Sequence, residues 1–104
     1  MPYRIEFIRE AAQDYRELDG SLKAMVDKKL EELSSNPFLG ARLGNKFTID
    51  LSGYFKTYVN SKRHRIMYRL ITPENIEIVE IGGMGKRDKE EIFRVIGKRM
   101  QKRK

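Results

Sequence analysis

The chain has 104 residues, 36% of them charged and 39% hydrophobic, and carries a formal net charge of +7. That length supports one domain with one modest core, and the hydrophobic share is too high for a disordered chain. With no cysteine and a single histidine, His64, the composition excludes a disulfide framework, thiolate chemistry and a structural zinc site. No metal and no cofactor are expected.

The first residues, MPYRIEFIREAAQD, are charged throughout and contain no apolar run of signal-peptide type. No stretch approaches membrane-spanning length, so the expected address is the cytoplasm, with no membrane partner. YRIEFI (3–8) alternates and predicts a first strand. From about Arg9 the period becomes helical, with Ile8, Ala11, Ala12, Tyr15 and Leu18 as the stripe. Asp19-Gly20 breaks that helix and Ser21 is the expected cap of the next. Leu22, Met25, Val26, Lys29, Leu30 and Leu33 trace its face. Ser34-Ser35-Asn36-Pro37 stops it, because the residue before proline resists the α region. Two helices so closely joined form an antiparallel hairpin.

Residues 37–53 are looser, with FTIDL (47–51) as a short extended piece. Three β-prone runs follow: FKTYVN (55–60), HRIMYRLI (64–71) and IEIVEIG (76–82). Short links join them into an antiparallel meander, with Pro73-Glu74-Asn75 as turn chemistry. Gly82, Gly83 and Gly85 are expected to end the third strand. A last helix is predicted from about Lys89, with Asp88 and Glu91 as a capping box and Ile92, Val95, Ile96 and Met100 as its stripe. The fold class is α+β: a single domain of order β-α-α-β-β-β-α, helices packed on one face of an antiparallel sheet.

Charge is concentrated in two places. The last residues, KRMQKRK (98–104), carry five cations and no acid, but such a tail is commonly only solvated. Residues 54–69, YFKTYVNSKRHRIMYR, hold Lys56, Lys62, Arg63, Arg65 and Arg69 and no carboxylate, and they lie in predicted sheet. Strand side chains alternate faces. Phe55, Thr57 and Val59, with His64, Ile66, Tyr68 and Leu70, suit the helix side. Lys56, Tyr58, Arg65 and Arg69 then share an open face, and Lys86 and Arg87 at a helix start lie near it. Clustered cations hold phosphates and a phenol stacks on an unpaired base, so RNA suits this face better than duplex DNA. The plainer readings are a solvated lysine at position 56 and a core-edge His64.

The element order, LSGYFKTYV (51–59), HRIMYRL (64–70) and GKRDKEEIF (85–93) resemble the RelE/ParE superfamily of toxins from type II toxin–antitoxin systems. The resemblance covers residues 2–96, which sets a toxin domain at 1–97 and a basic tail at 98–104. It implies a metal-independent endoribonuclease that cuts mRNA on the ribosome by 2′-hydroxyl attack on the adjacent phosphate. It also implies a cognate antitoxin. Lys56, Arg65 and Arg87 match catalytic positions; Tyr58, Arg69, Lys86, Lys89 and Phe93 are the expected substrate-binding residues. Tyr58 stands where such proteins carry a second lysine, and Phe93 where many carry a tyrosine. Lys56 is the favoured general base and Tyr58 its competitor. The alternatives are a ParE-like inhibitor of DNA gyrase and a non-catalytic RNA-binding member of the fold.

Overall fold

A computed structural model describes residues 3–43, 45–46, 49–50, 53–86 and 98–99. Strand β1 (Arg4–Phe7) leads into helices α1 (Arg9–Arg16) and α2 (Gly20–Ser35). Three two-residue strands follow, β2 (Ala41–Arg42), β3 (Asn45–Lys46) and β4 (Ile49–Asp50). The long strands are β5 (Tyr54–Val59), β6 (His64–Ile71) and β7 (Ile78–Lys86). The sheet order is β1-β7-β6-β5-β2, and β3 and β4 form a separate ribbon. The central β5-β6-β7 meander is antiparallel as expected, but β1 joins β7 in parallel, so the sheet is mixed.

The α1–α2 hairpin covers one sheet face. In α2, Leu22, Val26, Leu30 and Leu33 are buried at i, i+4, i+8 and i+11 spacing. Met25, placed on that stripe by the sequence, is 43% exposed. The cap also differs. Asp19, not Ser21, is the N-cap residue: its carboxylate accepts the Leu22 N–H at 2.8 Å and the Ser21 hydroxyl at 2.9 Å. Asp19-Gly20 separates the two helices as expected: α1 ends at Arg16, and Gly20 is the first residue of α2. Tyr15 donates to Asp27 at 2.7 Å, tying α1 to α2. Ser34 donates to the Tyr3 carbonyl at 2.6 Å and so anchors the end of α2 on the start of β1.

The core fills the space between hairpin and sheet with Ile8, Ala11, Leu22, Val26, Leu33, Val59, Ile66, Val79, Ile81 and Met84. Phe55, Thr57 and Val59 are buried, as strand parity requires. The β5–β6 turn places Asn60, Ser61 and Lys62 in the left-handed region, closed by Arg63 N–H donating to the Asn60 carbonyl at 3.0 Å.

The glycines of β7 do not end it. β6 is eight residues long, and β7 pairs along all of it, from Ile71↔Ile78 to His64↔Lys86. One register shift, between Met67 and Tyr68, leaves Gly82 as the extra residue of a bulge. The strand therefore starts two residues later than the β-prone run suggests and runs four residues further.

Candidate nucleic-acid interface

The β5–β6 register builds the candidate site. Tyr58 lies opposite Arg65, Lys56 opposite Met67 and Tyr54 opposite Arg69. Side chains directly paired in this way share a face. One face thus carries Tyr54, Lys56 and Tyr58 from β5 and Arg65, Met67 and Arg69 from β6. Lys56 and Tyr58 are half-buried, and the Lys56 ammonium sits 5.4 Å from the centre of the Tyr58 ring. A cation over a phenol ring is worth about 0.5–1 kcal/mol at such a site, and it fixes the lysine on the strand surface.

The face is not the open cation surface that parity implies. Arg65 is only 5% exposed and Met67 is fully buried. Arg65 is flanked by Tyr58 on one side and Gly85 on the other. Its charge therefore lies in a medium of lower effective dielectric, where it acts over a longer range than a solvated cation. Parity fixes which face a side chain takes and says nothing about what covers that face.

Arg69 is held differently. Its Nε donates to Glu80 on β7 at 2.7 Å, and the two residues are directly opposite in the ladder. Its guanidinium also lies 5.7 Å from the centre of the Tyr54 ring. The stretch 54–69 has no acid of its own, but the sheet brings one from the next strand. Tyr54 is buried here, and burial pushes its phenol up to about 12; Arg69 opposes that shift and Glu80 adds to it.

The sequence pattern puts Lys86 at a helix mouth. It is instead the last residue of β7, paired with His64. Arg87, Lys89 and Phe93 lie outside the described residues, as does most of the expected last helix; Lys98 and Arg99 have helical backbone. His64 faces the hairpin. With Leu18, Leu22, Asp19 and Met25 it lines a shallow depression beside the α1–α2 turn, on the opposite sheet face from Lys56.

Two features escape the sequence. Phe38 is 59% exposed, packed edge-on to Phe55, with Arg42 5.5 Å from the Phe55 ring centre. The loop carrying it is pinned by Tyr68, whose hydroxyl donates to the Pro37 carbonyl at 2.8 Å and accepts from Gly40 N–H at 3.0 Å. The second is Arg99, in the supposed solvated tail, which forms an ion pair with Asp14 of α1 at 2.8 Å. Among the described residues no cluster of His, Asp or Glu is placed to hold a metal. Nor is any helix among them long and apolar enough to cross a membrane.

The αα-hairpin on a five-stranded sheet with β1 parallel to β7 is the RelE-like fold. A double mutant of the toxin RelE of Escherichia coli in its free state superposes with a TM-score of 0.75 at 24% identity, over 96% of this chain and 99% of that one. The toxin of the RelBE2 toxin–antitoxin complex of Mycobacterium tuberculosis gives 0.67 at 24% identity, over 86% and 95%. In sequence, the mRNA interferase toxin RelE of E. coli K12 is 26% identical over 100 residues, spanning 96% of this chain and 99% of that protein. No family model matches the chain. The chain is RelE-like in fold and along nearly its whole sequence.

Proposed function

We propose that this protein is the toxin of a type II toxin–antitoxin pair and acts as a ribosome-dependent mRNA endoribonuclease. The observation that carries the reading is the β5–β6 face, where Lys56 and Tyr58 lie side by side over the buried charge of Arg65. Relatives of matching length are named mRNA interferases, and structural neighbours were solved bound to antitoxins.

In the reaction, Lys56 takes the proton of the 2′-hydroxyl as that oxygen attacks the adjacent phosphorus. The 2′-oxygen–phosphorus bond forms and the 5′-oxygen–phosphorus bond breaks. The products are a 2′,3′-cyclic phosphate and a 5′-hydroxyl. Charge builds on the phosphate oxygens, and preorganised cations stabilise it most where water is excluded. Arg65 serves this role from beneath the surface, and Arg87, the residue after β7 in sequence, shares it. The 5′-oxygen leaves with a proton from Arg87 or from a water held there. Tyr58 stacks on a base or competes with Lys56 as base. Lys86, Lys89 and Phe93 bind neighbouring nucleotides. Arg69, offset by Glu80, contributes least to RNA contact. The cognate antitoxin silences the protein, which works in the cytoplasm without a metal.

Primer extension on a reporter mRNA in a reconstituted translation mix tests this, with and without ribosomes. Cuts inside codons that need the ribosome are the expected result. Intact mRNA beside growth arrest in cells would overturn the reading and move DNA gyrase to the front.

A further inference from the structure

Tyr68 reaches from β6 to the loop that precedes β2. It is fully buried in the core. It lies directly opposite Phe55 in the ladder, and the two rings stack at 5.3 Å with 11° between their planes. Its hydroxyl is used twice, donating to the Pro37 carbonyl at 2.8 Å and accepting the Gly40 N–H at 3.0 Å. The loop is thereby fixed against β5. At Gly40 the approach is so close that a Cβ would meet the Lys56 carbonyl oxygen and the Tyr68 hydroxyl, each at 2.5 Å.

The loop leads into β2, and β2 holds Lys56. Ala41 pairs with Lys56 and Arg42 with Phe55, and the Leu43 N–H donates to the Tyr54 carbonyl at 2.8 Å. Bonded and non-bonded pairs alternate in an antiparallel ladder. Ala41–Lys56 is therefore the next bonded pair, and the backbone N–H and carbonyl of Lys56 both point at β2. By the same alternation β6 bonds to the residues on either side, Phe55 and Thr57. The Lys56 peptide thus depends on β2, which is only two residues long. Pairing that short opens locally unless its ends are anchored. Buried Leu43 anchors one end. The Tyr68 hydroxyl, through Gly40, anchors the other.

We propose that Tyr68 is a positioning residue for RNA cleavage: its hydroxyl pins the 37–40 loop, the loop seats β2, and β2 fixes the backbone from which Lys56 reaches the RNA. Tyr68 lies on the opposite sheet face from Lys56 and touches no substrate. This rests on the endoribonuclease reading. A general base must sit within hydrogen-bond reach of the proton it takes, and a misplacement of about 1 Å can cost 10²-fold in rate. RNA affinity is shared among several cations and depends far less on where one ammonium sits.

The experiment compares full-length Tyr68→Phe, Gly40→Ala and Tyr15→Phe with the wild type, at a temperature where all are folded by circular dichroism. Tyr15→Phe is the control: it removes a phenol hydrogen bond of similar length, 2.7 Å to Asp27, from the helical hairpin. The readouts are kcat and KM for reporter mRNA on ribosomes, and amide hydrogen exchange at Lys56 against Phe55 and Thr57. In Tyr68→Phe, kcat is expected to fall roughly 10- to 100-fold with little change in KM. Exchange at Lys56 is expected to quicken while Phe55 and Thr57 keep their protection. Gly40→Ala is expected to act in the same direction, and Tyr15→Phe to keep wild-type kcat. Wild-type kcat in Tyr68→Phe, or unchanged exchange at Lys56, would overturn the proposal. An equal loss of kcat in Tyr15→Phe would overturn it too, by showing that cutting follows overall stability. If the wild type cuts no RNA, the endoribonuclease reading fails and takes the proposal with it; if the wild type cuts and Tyr68→Phe cuts equally well, the proposal fails alone.

Discussion

Arg69 and Glu80 face each other across β6 and β7 with 2.7 Å between Nε and Oε1, and this pairing sets Arg69 apart from the cations of the same face proposed to act on RNA. Arg69→Ala leaves Glu80, with only 18% of its side chain exposed, without that partner. The expected loss is about 1–3 kcal/mol of stability, measured by urea unfolding. Glu80→Gln keeps a hydrogen-bond acceptor and is expected to lose less.

Gly40 sets how closely the 37–40 loop approaches β5. A Cβ there would lie 2.5 Å from the Lys56 carbonyl oxygen and from the Tyr68 hydroxyl. Gly40→Ala must push the loop off β5 or displace Tyr68, at about 1–3 kcal/mol. Tyr68→Phe removes the group shared by Pro37 and Gly40 and is expected to cost a similar amount. A double-mutant cycle by chemical unfolding checks whether the two losses overlap; sub-additive losses are expected because both act on one contact.

Asp19 gives stability an acid-side dependence. Hydrogen bonds from the Leu22 N–H, first, and the Ser21 hydroxyl hold its carboxyl below the ordinary carboxylate value, and His64 adds to this. A carboxyl depressed in the folded state contributes its full stabilisation above the unfolded value. That contribution fades as pH falls through the folded value. Asp19→Ala is therefore expected to destabilise at neutral pH and to converge on the wild type below about pH 4, as thermal melts across that range would show.

Much of this architecture is legible in the sequence. The apolar repeat Leu22, Val26, Leu30, Leu33 and the alternation in β5 report burial directly, because each depends only on local periodicity. What the sequence hides is non-local. Glu80 neutralises Arg69 from another strand, so counting acids within residues 54–69 cannot find it. Arg65 falls on the expected face, yet it is covered, and cover is a tertiary property. The glycines of β7 resemble a stop signal but serve a bulge and a long pairing with β6. Asp19 outcompetes Ser21 as cap because the chain enters the helix two residues earlier. Asp14 and Arg99 are separated by most of the chain, and nothing local marks them as partners.

Lys56 carries the central claim, and primer extension in the reconstituted translation mix, comparing Lys56→Ala with Arg69→Ala, tests it most directly. Ribosome-dependent cuts are expected to weaken by roughly 10²- to 10⁴-fold in Lys56→Ala and to persist in Arg69→Ala at a temperature where it stays folded. Equal cutting by Lys56→Ala and the wild type would contradict the assignment of this face as the site of RNA cleavage.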